Sequence, residues 1–63
     1  MTLNEVSQLR VGSTLLTKDG KQCHLVLPTD YPHSIRESPN GTKYVPLTTT
    51  IGSMYPSNQL TKV

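Results

Sequence analysis

Two dipeptides, Asp19-Gly20 and Asn40-Gly41, divide the chain into strand-like runs. Asp-Gly or Asn-Gly between β-prone segments is among the strongest local signals for a hairpin, because glycine takes the positive φ that tight turns need. The first turn is expected to pair Ser13–Lys18 with Lys21–Leu27, and the second Ile35–Glu37 with Lys43–Val45. Both read as two-residue connections with positive φ at both central positions. In the second run, Cys23, Leu25 and Leu27 fall on one face of a strand, and Gln22, His24 and Val26 on the other. The face with Cys23 is expected inward.

The chain begins with a different signal. Thr2-Leu3-Asn4-Glu5 matches a capping box, in which hydroxyl and carboxylate each satisfy a free backbone N–H at a helix start. Leu3, Val6 and Leu9 then recur at helical spacing, which predicts a helix from about residue 3 to residue 10 with Gly12 as its stop. Pro28, Pro32 and Pro39 mark a long loop, with a short strand expected within His33–Glu37. Pro46 should end the next strand or hold it at a sheet edge. Thr48–Ile51 has β propensity, and Gly52 breaks it. Pro56-Ser57-Asn58 reads as a turn before a last short strand, Gln59–Val63, with Leu60 inward. No internal repeat is apparent. The pattern predicts one domain over residues 1–63, mainly β: a small five-stranded bent barrel or sandwich with a short N-terminal α-helix.

Size limits how such a fold is stabilised. A 63-residue chain buries only about 60% of the surface its unfolded form exposes. Phe and Trp are absent, so Tyr31, Tyr44 and Tyr55 supply the aromatic bulk, and the single Cys23 excludes an internal disulfide. Small domains without staples commonly associate, so a homo-oligomer, or a fold completed by a partner, is expected. The net charge of +2 comes from interleaved charges with no like-charge block, which permits contact with nucleic acid without arguing for it. The longest apolar run, Leu25-Val26-Leu27, is far too short to cross a bilayer, so no membrane partner is expected. A lone cysteine without an export signal fits a cytoplasmic protein.

Few residues carry chemistry. Cys23, His24, Asp30 and His33 are metal-ligand types, but neighbours on a strand point to opposite faces, so Cys23 and His24 do not share an ion and no metal is expected. Asp30, His33 and Ser34 are the residue types of a hydrolase triad without the surrounding geometry, and Cys23 beside Leu25 is expected to be an inert thiol. The isolated glycines form no phosphate cradle, so no cofactor is expected. The segment Asp30–Arg36 is the best candidate contact surface. Long loops often serve function, and Tyr31 and Arg36, with His33 between them, are interface-type side chains. Tyr44 beside Lys43, and Tyr31 near Arg36, form a weak version of a nucleic-acid platform.

Tyr55-Pro56-Ser57-Asn58-Gln59-Leu60 resembles the segment near the end of Src-homology-3 domains, where a Pro-Ser-Asn turn precedes the last strand. In that family the Pro and Asn help line a groove for proline-rich peptides. The resemblance implies a small barrel ending in a similar turn and adds Tyr55 and Asn58 to the candidate contact residues. The family's early acidic and aromatic motif and its groove Trp have no counterpart here, so binding of proline-rich peptides is not carried over. The expected function is that of a non-enzymatic adaptor or inhibitor docking on another protein through Tyr31, His33, Arg36, Tyr55 and Asn58. A nucleic-acid-binding small barrel is one alternative. A homo-oligomer that captures a small ligand between subunits is another.

Overall fold

The computed structural model describes residues 1–63. A helix, α1 (Leu3–Ser7), is followed by seven short strands: β1 (Thr14–Thr17), β2 (Gln22–His24), β3 (Arg36–Glu37), β4 (Lys43–Tyr44), β5 (Pro46–Thr48), β6 (Met54–Pro56) and β7 (Leu60–Lys62). A single 3-10 turn, Ser57–Gln59, joins β6 to β7. The strands form three small antiparallel sheets, β2-β1-β7, β3-β4 and β5-β6. The expected mainly-β domain with an N-terminal helix is present, but it has seven strands in place of five, and no barrel closes.

The extra breaks have local causes. Residues 43–48 would make one strand, yet both backbone groups of Val45 are taken by Ser57. The Val45 N–H donates to Ser57 Oγ at 2.8 Å, and the Ser57 N–H donates to the Val45 carbonyl at 2.8 Å. Pro46 has no N–H to continue a ladder and opens β5, a position strands tolerate. β5 is not an edge, because it lies between β6 and the continuation of β2. Val26 N–H donates to the Thr48 carbonyl at 3.0 Å, Thr50 N–H to the His24 carbonyl at 3.0 Å, and Leu25 bridges Thr49.

The helix starts as expected. Thr2 Oγ1 accepts from Glu5 N–H at 3.2 Å, and Glu5 Oε1 accepts from Thr2 N–H at 3.0 Å. These bonds from Thr2 hold the Glu5 pKa below its ordinary value. The helix is only five residues long, shorter than the expected span to Arg10. Gln8 caps it, and Ser13 Oγ holds the exposed Arg10 backbone in a separate turn. Of the predicted stripe, Val6 is fully buried, while Leu3 and Leu9 pack at the rim of the core. The core joins Val6, Leu15, Cys23, Leu25, Val45, Leu47 and Leu60 in one cluster. At roughly 1.5–3 kcal/mol for each large aliphatic side chain buried, this cluster is the main source of stability.

Both expected hairpins form, with a different turn. Thr17 N–H donates to the Lys21 carbonyl at 2.9 Å, and Ser38 N–H to the Thr42 carbonyl at 2.9 Å, so each loop has three residues between its last paired positions. Positive φ falls on Gly20 (81°) and Gly41 (87°) and on no non-glycine residue. This is the three-residue connection in which a type I turn is followed by a left-handed glycine, not the two-residue turn expected. β5 and β6 join the same way through Thr49–Ser53, with the Gly52 N–H on the Thr49 carbonyl at 3.2 Å.

The three loops share Ser/Thr-x-x-Gly, a recurrence missed in the sequence. Each leading hydroxyl reaches the residue after the glycine. Thr17 Oγ1 accepts from Lys21 N–H at 3.2 Å. Ser38 Oγ donates to the Thr42 carbonyl at 3.2 Å, and Thr49 Oγ1 to the Ser53 carbonyl at 3.4 Å.

Candidate functional site

One groove, of about 240 Å³, opens on the surface between the loop after β2 and the β5–β6 hairpin. Leu27, Thr29, Asp30 and Ser34 line one side, and Pro46 and Met54 the other. The loop side exists because strand pairing of the second run ends at the Leu25–Thr49 bridge, and Pro28, lacking an N–H, cannot continue it. Leu27, expected inward, is therefore 56% exposed. Further on, the loop folds on itself. The Asp30 carbonyl accepts from His33 N–H at 2.8 Å and Ser34 N–H at 3.2 Å, and the Pro32 carbonyl accepts from Ile35 N–H at 3.3 Å. The Tyr31-Pro32 peptide is cis.

The hairpin side follows from strand alternation. Leu47 and Thr49 point into the core, which leaves Thr48 on the outer face with its cross-strand partner Met54. Val26 lies beside Thr48 on the neighbouring strand. Val26, Thr48 and Met54 thus form a row across three strands that runs to the groove, and Met54 is 65% exposed.

The hydroxyls of Thr29 and Ser34 lie out of solvent with no hydrogen-bond partner in the protein. Burying an unpaired hydroxyl costs on the order of 1–3 kcal/mol. Both belong to residues of the groove wall. Removing the hydroxyls should relieve that cost. Thr29→Val and Ser34→Ala are each expected to raise stability by up to about 1 kcal/mol, read as a higher melting temperature. A lower melting temperature for both would show that the hydroxyls stabilise the fold.

The residues singled out in the sequence are dispersed. Tyr31 and Tyr55 are half-buried and pack against the core, Tyr55 from its position opposite Leu47. His33 is exposed on the loop. Arg36 is exposed on β3, directly opposite Tyr44. Asn58 is exposed in the 3-10 turn. None of these five lines the groove, whereas Asp30 and Ser34 from the same predicted contact segment do. Cys23 is buried with its thiol 3.7 Å from the Leu15 carbonyl, and His24 is exposed on the opposite face. No helix is long and apolar enough to cross a membrane.

Comparison with protein-family models, curated proteins and solved structures gives no match. The likeness to Src-homology-3 domains rests on Tyr55–Leu60 alone. In the structure that stretch ends β6, makes the 3-10 turn and opens β7, which pairs with β1. Pro56 and Asn58 do not line the groove.

Proposed function

We propose that the chain is a non-enzymatic binding module that docks on another protein through the groove between the Leu27–Ser34 loop and the β5–β6 hairpin. One observation carries this reading. The exposed Leu27 and Met54 meet in the groove beside two residues whose hydroxyls have no partner. Exposed apolar side chains grouped beside a concavity are a feature of interaction surfaces. The composition of the wall favours binding over catalysis, since one carboxylate stands there with no histidine, cysteine, lysine or second carboxylate beside it.

Selection of short peptides from a random library on the intact chain tests this reading. Selected peptides should bind the wild type about tenfold more tightly than Met54→Asp, with both proteins giving the same circular dichroism spectrum and cooperative melt. Met54 is largely exposed, so the substitution is expected to leave the fold intact. Peptides that bind both proteins equally, or a selection that yields none, would remove the groove as a docking site.

A further inference from the structure

We infer that the occupant of this groove is a basic side chain of the partner polypeptide, arginine in preference to lysine. The inference rests on the docking function proposed above and specifies its chemistry. Size comes first. At about 240 Å³, the groove falls below the roughly 300–1,000 Å³ of a site that takes a whole small-molecule ligand. It suits one long side chain.

Charge selects among the candidates. Asp30 is the only charged residue in the lining, and none of the six basic residues of the chain stands there. The other polar side chains of the wall, Thr29, Ser34 and Thr48, carry hydroxyls that donate as well as accept, so the demand for a donor comes from the acceptor-only Asp30 carboxylate. The rest is apolar, through Leu27, Pro28, Pro46, Leu47 and Met54.

A basic side chain has this division. Its methylene stem covers apolar surface while its charged head stays at a polar edge. The stem lies against Leu27, Pro46 and Met54, and the head meets the exposed Asp30 carboxylate. A guanidinium has a planar fork that pairs bidentately with a carboxylate, which a lysine ammonium lacks.

Nuclear magnetic resonance titration of the intact ¹⁵N-labelled chain tests the inference. Four blocked peptides identical except for one central residue (Arg, Lys, norleucine or Glu, flanked by Leu and Ala) serve as probes. The Arg peptide should shift the amides of Thr29, Asp30 and Ser34 and bind more tightly than the Lys peptide. Norleucine and Glu peptides should bind at least about fivefold more weakly than Arg. Asp30→Asn should cut Arg-peptide affinity about fivefold and leave norleucine-peptide binding unchanged. If the norleucine peptide binds as well as the Arg peptide and both are lost in Met54→Asp, the inference fails while docking stands. Silence from all four probes at the groove amides, with library-selected peptides that bind there yet lack a basic residue, would likewise overturn the inference alone. A selection that yields no groove-binding peptide at all would remove both.

Discussion

Replacing Ser57 with alanine should destabilise the domain by about 1–3 kcal/mol, the cost of leaving a buried backbone donor without its partner. Ser57 is fully buried. Its side chain accepts from the Val45 N–H, and its own N–H donates to the Val45 carbonyl. This pair of bonds fastens the 3-10 turn to the junction of β4 and β5. Val45 has no strand partner to take over, and its side chain is itself in the core. Alanine keeps the Ser57 N–H bond and removes only the hydroxyl, so the loss isolates the Val45 donor. For a domain of this size, each kcal/mol lowers the melting temperature by roughly 4–8 °C. Ser57→Thr retains an oxygen but adds a methyl group where no exposure remains, so it should recover only part of the loss. A thermal melt of Ser57→Ala that overlays the wild type would contradict this role.

Gly20→Val and Gly41→Val should each cost about 1–3 kcal/mol, by backbone strain and not by collision. An added Cβ at either position meets no atom within 4 Å, so space is not the obstacle. Both residues sit near φ of +80 to +90°, a region that β-branched residues almost never occupy. In each loop the N–H of the glycine closes the turn on the leading Ser or Thr carbonyl, at 3.0 Å for Gly20 and 2.9 Å for Gly41. A valine must hold the strained φ or give up that turn. At Gly41 the loop is further tied by Asn40 Oδ1, which accepts from the Thr42 N–H at 3.1 Å. Gly52 has the same left-handed conformation, φ +85°, so Gly52→Ala is strained as well. Paired chemical denaturation curves measure these costs. Valine variants with unchanged midpoints would mean that the loops relax freely to other turns.

The hairpins and the capping box were legible because their signals are local. Asp-Gly, Asn-Gly and Thr-x-x-Glu each decide their own few residues. Loop length was not legible from the dipeptides, since a glycine at positive φ serves both the two-residue and the three-residue connection. The distinguishing signal lay three positions earlier, in Thr17, Ser38 and Thr49, whose hydroxyls reach across to the residue after the glycine. That same spacing would have marked the third hairpin, where Gly52 instead read as a break. The split between β4 and β5 was half visible in Pro46, while the part played by Ser57 depends on a contact distant in sequence.

The groove was legible only in part for the same reason. Asp30 and Ser34 fall in the proline-bounded segment that the sequence marks as a contact surface. Leu27 looked like a core residue by alternation, and Met54 carried no signal. They meet only because β5 pairs with both β6 and the end of β2, which brings the hairpin alongside the loop.

Resonance mapping of a library-selected peptide on the intact, ¹⁵N-labelled chain tests the docking function most directly. Saturating peptide should shift the amides of Leu27, Thr29, Ser34, Thr48 and Met54, and the shifts should vanish in Met54→Asp. Shifts confined to Arg36, Tyr44 and the β3–β4 hairpin, or to Tyr55 and Asn58, would place binding elsewhere and contradict it.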